Sequence, residues 1–128
     1  MIPFKNKKDA QMFSSLHPIL IMIFADMWNY AYVKHGVSLT VTQTLSNKFI
    51  DQKLKRKSPA HSEGRAIDIR TKDLDTFVMA DVLKYINDKQ EYKKYHYRSL
   101  SGHNRLAYFH FGTNQHIHLS IHSRFAIK

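Results

Sequence analysis

The sequence predicts an α+β fold in which an antiparallel sheet packs against helices. Two segments, at about residues 9–32 and 74–88, carry apolar residues at the three- and four-residue spacing of helices. Five other segments have strand-like sequences and are separated by turn-forming residues. The 128 residues are expected to form a single domain, because a chain of this length buries one core and leaves little room for a second.

The first helical segment can break at Pro18, because proline suits the first turn of a helix and disrupts its interior. Gly36, directly after His35, is expected to end it. The second helix is predicted over residues 74–88, and Asp73 and Asp75 suit its start. Its expected core side consists of Phe77, Val78, Val82, Leu83 and Ile86.

The predicted strands are residues 37–44, the stretch "RAIDIRT" and "QHIHLSIH". The segments "EYKKYHYRSL" and "RLAYFHF" flank the turn-rich "SGHN", which predicts a hairpin. The basic residues 51–59 are interpreted as a solvated connection.

Charge and composition narrow the function. The formal net charge of +10 implies a polyanionic partner, either nucleic acid, an anionic membrane surface or a cell-wall polymer. The chain has no cysteine, so any metal must be held by histidine and carboxylate side chains. The N-terminus has no secretory signal pattern, and the most apolar run, "PILIMIFA", is too short to span a bilayer.

Strand alternation predicts a polar face rich in metal-type ligands. In the last strand, one face carries Ile117, Leu119 and Ile121 and the other carries His116, His118, Ser120 and His122. Asp68 falls on the polar side of "RAIDIRT", beside the small Ala66. A catalytic zinc takes three protein ligands and keeps a position for water or substrate. His61, Asp68 and one histidine of the 116/118 pair would supply that set, although each pair alone also arises by chance.

These stretches carry a family resemblance. "HSEGRAIDI" resembles the HxxGxAxD signature of the zinc D-Ala-D-Ala carboxypeptidase and L-alanyl-D-glutamate peptidase family, which includes many phage endolysins, and the corresponding stretch of the hedgehog signalling domain, which shares that fold. "VTQTLSNKFIDQ" is similar to the family strand that ends in a T-Q-G-Y-R-type turn, and "HIHLSI" to its final zinc-binding strand. The resemblance spans about residues 39–122 and implies that His61, Asp68 and His118 bind zinc.

The chain departs from the family at the general base. Family peptidases have a Glu or Asp three residues before the last zinc histidine, and the hedgehog domain has a Glu six before it; here these positions are Gln115 and Gly112. Resemblance to lysostaphin-type zinc peptidases, in which the first histidine of an HxH pair is catalytic, assigns the proton transfer to His116, assisted by His110. The alternatives are an inactive zinc domain or a carboxylate from elsewhere in the chain, such as Glu63.

A second departure concerns substrate binding. The Gly, Tyr and Arg of the family turn correspond to Thr44, Leu45 and Ser46. Without that arginine, a substrate carboxylate would be bound by Lys48, Arg65 or Arg70. His122 is expected to be solvated or to support the site, and the histidines without an assigned role are expected at the surface: His17, His35, His96 and His103.

The resemblance implies a zinc-dependent peptidoglycan peptidase that cuts a stem-peptide bond, of the L-alanyl-D-glutamate endopeptidase or D-Ala-D-Ala carboxypeptidase type. A phage lysis enzyme of this kind would be a monomer, accumulate in the cytoplasm of the infected host and then act at the cell wall, drawn there by anionic wall polymers. One alternative is a non-catalytic, hedgehog-like zinc domain that binds a ligand. A nucleic-acid binder is the weaker alternative, because only "YKKYHYR" interleaves aromatic and basic residues and a solvated strand explains that stretch more simply.

Overall fold

The computed structural model describes residues 2–44, 53, 60–98, 102–111 and 115–125. Within these residues the helices are α1 (Lys7–Met12), α2 (Pro18–His35) and α3 (Thr76–Asp88). Short 3-10 helices lie at Phe13–Ser15, Gln90–Tyr95 and Ser123–Phe125. The strands are β1 (Val41–Gln43), β2 (Ala66–Arg70), β3 (Tyr97–Arg98), β4 (Asn104–Arg105), β5 (Ala107–His110) and β6 (His116–Ser120).

Four strands form one antiparallel sheet in the order β1-β2-β6-β5, so β2 and β6 are its inner strands. The pairing of β2 with β6 sets Asp68 directly opposite His118. On the other side of β6, Tyr108 of β5 faces His118 and His110 faces His116. β3 and β4 form a separate two-stranded sheet. The predicted α+β class with an antiparallel sheet is confirmed.

One face of the sheet packs against helices that lie in contact with each other, α2 and α3. The apolar residues of the inner strands are completely buried there: Ile67, Ile69, Ile117, Leu119 and, just past β6, Ile121. From α2 the core receives Leu20, Ile23, Phe24, Met27 and Ala31. The predicted apolar face of the last strand is therefore confirmed, and the opposite face is left for polar side chains.

The ends of α2 are set by the residues that the sequence singled out. Pro18 is its first residue, and Nδ1 of His17 accepts a hydrogen bond from the N–H of Ile19 at 3.1 Å. Gly36 ends it in the left-handed conformation, with φ of 68°, which glycine adopts without steric cost. The break at Pro18 and the end at Gly36 are confirmed.

The strand predicted over residues 37–44 is wrong in length, because only Val41–Gln43 is a strand. The residues between α2 and β1 form hydrogen bonds with α2 instead. The N–H of Val37 donates to the carbonyl of Ala31 at 3.3 Å, and Nε1 of Trp28 donates to the carbonyl of Leu39 at 3.2 Å. These groups are unavailable for a strand ladder.

The predicted hairpin is only partly right. Residues Gln90–Tyr95 form a 3-10 helix rather than a strand, and its buried Tyr92 donates a hydrogen bond to Asp26 of α2 at 2.7 Å. This tertiary contact overrides the strand-like sequence. Only Tyr97–Arg98 pairs with Asn104–Arg105.

Two side-chain placements also differ from expectation. Phe77 is 77% exposed, because it lies in the first turn of α3, after Asp75, whose carboxylate accepts its N–H. His35 is not a surface residue, since its side chain is only 12% exposed and bonds Asp81 at 2.7 Å. Nε2 of His96 is likewise buried. Of the predicted connection at residues 51–59, all but Lys53 lies outside the described residues.

Among the residues that the structure describes, no helix has the length and apolar character needed to cross a membrane.

Candidate metal centre

Two of the three predicted ligands are placed by neighbouring strands. Asp68 lies in the middle of β2 and His118 in the middle of β6, and the register makes them direct cross-strand partners. Their side chains share the sheet face opposite the helices, since their neighbours Ile67, Ile69 and Ile117 fill the core. The sheet therefore brings together two residues that lie fifty positions apart.

The third predicted ligand is placed by a turn before β2. The N–H of Arg65 donates to the carbonyl of Ala60 and the N–H of Gly64 to that of His61, both at 3.1 Å. Gly64 has φ of 69°, a conformation that costs other residues a steric penalty. The turn folds His61 back over β2, where it is 3% exposed.

The three side chains converge. One ligand atom from each of His61, Asp68 and His118 lies within 4.8 Å of the other two. Nε2 of His61 is 3.0 Å from Oδ1 of Asp68, and Nδ1 of His118 is 3.1 Å from the same oxygen. Among the described residues this is the cluster with the spacing of a metal site. The convergence predicted from the sequence is thus present.

The hydrogen bonds of His61 suit a cation. Its Nδ1 lies 2.9 Å from the carbonyl oxygen of Thr44, and because a carbonyl only accepts, Nδ1 must carry the proton. In the neutral ring the Nε2 lone pair then faces the Asp68 carboxylate oxygen. Two acceptors so close require a proton or a metal ion between them. A histidine that donates its second ring N–H to a backbone carbonyl is also the usual arrangement in metal sites.

The titration of the other two groups agrees with ligand roles. Burial opposes ionisation of Asp68, but its interactions with the His118 and His61 rings in their protonated forms outweigh burial and hold its pKa well below 3.8. Burial also lowers the pKa of His118 below 6.5, although Asp68 opposes that shift. At neutral pH the pair is therefore a carboxylate and a neutral imidazole, the forms that bind metals.

The two predicted catalytic histidines lie beside the cluster. Nε2 of His116 is 3.5 Å from Oδ1 of Asp68, and its side chain is 21% exposed. His110, across the strand pair, stacks on His116 with ring centroids 4.8 Å apart and is exposed. His116 therefore borders both the candidate ligands and solvent, and His110 covers its outer side.

The predicted substrate-binding residues and the alternative base are placed differently. Arg65 is buried, with Nε bonded to Oε1 of Glu63 at 2.7 Å and a second nitrogen bonded to the carbonyl of Ile121 at 3.1 Å. The Arg65 guanidinium and the Glu63 carboxylate therefore form an ion pair with each other. Arg70, at the end of β2, pairs directly with His116. Lys48 lies outside the described residues, as do Leu45 and Ser46.

Three supporting residues were missed by sequence reasoning. Asp9 of α1 is buried and accepts hydrogen bonds from both the N–H and the hydroxyl of Thr44, at 2.8 Å each. Tyr108 faces His118 with ring centroids 5.3 Å apart. The alternation of "AYFH" places Tyr108 and His110 on one face, which could have indicated Tyr108; no local pattern links Asp9 to Thr44.

No protein-family model, curated protein or solved structure was found that matches this chain. The residues themselves therefore carry the functional argument.

Proposed function

We propose that this protein is a zinc-dependent peptidase that hydrolyses a stem-peptide bond of bacterial peptidoglycan. The observation that carries the proposal is the convergence of His61, Asp68 and His118 on one point of the polar sheet face. Two imidazoles and one carboxylate form a set that a catalytic zinc accepts. We further propose that the fold is of the hedgehog and D-Ala-D-Ala carboxypeptidase type, on the resemblance of "HSEGRAIDI" and "HIHLSI" alone.

His61, Asp68 and His118 would hold the metal, which supplies Lewis-acid activation of water and of the scissile carbonyl. The carbonyl oxygen of Thr44 orients the His61 ring by accepting a hydrogen bond from its Nδ1–H. His116 is the group proposed to exchange protons with the reactants, since it reaches the cluster and is partly exposed to solvent. His110, proposed to assist, stacks on the His116 ring.

We propose that Arg70, on the same sheet face as the candidate metal ligands, contacts the substrate. Arg70 follows the alternation of β2 that also places Asp68 on the polar sheet face, and it lies opposite His116. Its side chain is 37% exposed, and its ion pair with the exposed Asp73 is long, at 3.9 Å, so a stem-peptide carboxylate could take the place of Asp73. Substrate binding by Arg65 remains a prediction. The buried contacts of Arg65 with Glu63 and Ile121 do not favour that role.

A phage lysis role, with accumulation in the host cytoplasm and action at the wall, is proposed on the same resemblance. The net charge of +10 supports attraction to anionic wall polymers. This attraction should weaken as salt screens the charges.

The test is the release of new free amino groups from purified sacculi by the zinc-loaded protein. Asp68→Asn should abolish both zinc binding and release, whereas Asp88→Asn, the same change at an exposed position of α3, should retain both. Mass spectrometry of the products would identify the bond that is cut. Zinc binding without release under any condition would overturn the peptidase and leave a metal-binding domain.

That second candidate, a non-catalytic zinc domain that binds a ligand, is favoured by one observation. No acidic residue follows Glu91 in the sequence, and Glu63, the carboxylate within the motif, is held by Arg65. If His116 does not transfer protons, the only carboxylate within the cluster itself is that of the ligand Asp68. Intact zinc affinity in a protein that never cleaves sacculi would support this candidate.

A further inference from the structure

A second site lies away from the candidate metal centre. A pocket of about 410 Å³ is lined by Lys93, His96, Arg98, Asn104 and His122, a set we call the basic pocket. Its walls come from the 3-10 helix after α3, from β3 and β4, and from the chain just past β6. It shares no residue with the metal cluster, so nothing in its function depends on the proposed peptidase.

Backbone hydrogen bonds hold these walls together. Arg98 and Asn104 are cross-strand partners in the β3–β4 pair. The N–H of His96 donates to the carbonyl of Lys93 at 3.2 Å, and the N–H of His122 donates to that of Tyr95 at 3.0 Å. The fold thus fixes the backbone of the pocket walls.

The cations of the pocket form no ion pair with a described carboxylate, although Asp88 lies close enough to Lys93 to interact with its charge. Lys93 and Arg98 are positive, and no acidic residue follows Glu91 in the sequence. Nζ of Lys93 donates to the backbone carbonyl of Asn87 at 2.9 Å. Within the described part of the chain, neither Lys93 nor Arg98 has a carboxylate within salt-bridge distance. The local field therefore favours an anion.

The pocket also contains a polar atom that needs a partner. Nε2 of His96 is buried and makes no hydrogen bond to any other described residue. Because the other ring nitrogen is hydrogen-bonded to the backbone of Asn104, Nε2 is a donor only in the protonated ring, the form that a bound anion favours. His122 uses its Nδ1 to accept the N–H of Arg124 at 3.1 Å, so in the neutral ring its Nε2 carries the proton and is a donor. The remaining donors are the guanidinium of Arg98, the ammonium of Lys93 and the amide of Asn104.

We propose that the basic pocket binds a phosphodiester group of an anionic polymer. A phosphate accepts several donors at once, and guanidinium binds it with two parallel hydrogen bonds. The volume of about 410 Å³ lies in the range of sites for small organic ligands, which leaves room for the ester substituents beside the phosphate.

The lining favours a polymer without bases. Nucleic-acid grooves combine basic residues with aromatic side chains on which bases stack, and the described lining residues include no Phe, Tyr or Trp. A polymer of the poly(glycerol phosphate) kind fits this lining better than single-stranded DNA.

The test is a nuclear magnetic resonance titration of the full chain in the presence of a chelator, so that no metal binds the probes. The probes are inorganic phosphate, poly(glycerol phosphate) and a single-stranded oligonucleotide, and the signals are the ring protons of His96 and His122. Both phosphate probes should shift these rings, with the polymer binding more tightly than the free ion. Because the chelator removes metal ions, the result does not depend on whether the candidate metal centre binds zinc.

The variant is Arg98→Gln, and its matched control is Lys72→Gln, which removes one exposed charge outside the pocket. We expect Arg98→Gln to weaken binding of the polymer about tenfold or more, the loss of one charge-assisted hydrogen bond, and Lys72→Gln to weaken it far less. Equal losses in the two variants, or ring signals that do not respond, would overturn the site. Tighter binding of the oligonucleotide than of poly(glycerol phosphate) would overturn the choice of ligand.

Discussion

The Asp9 carboxylate accepts two hydrogen bonds from Thr44, one from its backbone N–H and one from its hydroxyl, each at 2.8 Å. The carbonyl oxygen of Thr44 in turn accepts a hydrogen bond from the Nδ1–H of His61. A buried acidic residue in the first helix thus orients a candidate metal ligand through one intermediate residue. Such supporting contacts commonly tune metal affinity by 10- to 100-fold.

We expect Asp9→Ala to weaken zinc binding by about 10- to 100-fold and to destabilise the fold by about 1–3 kcal/mol, since the buried N–H of Thr44 loses its acceptor. Asp9→Asn keeps an acceptor oxygen and should retain most of the zinc affinity and most of the stability. Competition of zinc against a chromogenic chelator, together with urea unfolding of the metal-free protein, measures the two effects. Unchanged zinc affinity in Asp9→Ala would contradict the supporting role.

His116→Ala should lower the rate of peptide release from sacculi by about 10²- to 10⁴-fold, the usual contribution of a positioned proton-transfer group. Zinc affinity should stay close to that of the unchanged protein, because the ligand set is His61, Asp68 and His118. His103→Ala, a substitution of the same kind at an exposed position, is the control. A His116→Ala protein that cleaves normally would remove this residue as the base, and one that loses zinc would make it a ligand.

Asp26 should make stability depend on pH at the acid end. Burial opposes its ionisation, but hydrogen bonds from Lys89, Tyr92 and Tyr85 outweigh burial and lower its pKa below 3.8. A lowered folded-state pKa means that the stabilisation is complete above the unfolded-state value and is lost as pH falls through the folded-state value. Asp26→Asn should therefore cost about 1–3 kcal/mol at pH 7 and less below pH 3.8.

Denaturant unfolding of the metal-free protein at a series of pH values measures this effect. The difference between the original chain and Asp26→Asn should narrow as the pH is lowered. Asp88→Asn serves as the control, because its partner Lys84 is exposed and such pairs contribute little. A difference that stays constant down to pH 2 would show that ionisation of Asp26 does not stabilise the fold.

The two faces of α3 should differ sharply in their sensitivity to truncation. Ile86 is fully buried and Phe77 is 77% exposed. We expect Ile86→Ala to destabilise the fold by about 2–5 kcal/mol and Phe77→Ala to change stability by about 0.5 kcal/mol or less. Thermal unfolding of both variants checks this; a large loss in Phe77→Ala would place that ring in the core after all.

Much of the fold followed from local sequence patterns. The alternation of "QHIHLSIH" predicted which side chains of β6 enter the core, and Pro18 and Gly36 marked the ends of α2. The errors arose where a tertiary contact decided the outcome. Tyr92 bonds Asp26 and Trp28 bonds the carbonyl of Leu39, and neither partner can be identified from a local window.

The candidate site was predictable to the extent that it depends on residue type and alternation. Asp68, His118 and His116 follow from the polar face of two strands, and His61 from its motif. The register that sets Asp68 opposite His118 is a long-range property of the sheet. The Asp9–Thr44–His61 chain joins residues 35 and 17 positions apart, so it required the three-dimensional structure.

The inner position of β2 and β6 has a consequence for how an ion would bind. Each of these strands is hydrogen-bonded on both sides, so Asp68 and His118 sit on the part of the sheet that is hardest to distort. Their separation is then fixed before any ion arrives, and little conformational entropy is lost on coordination. Selection among cations would accordingly follow from the rigid spacing of the site and not from its ability to adapt.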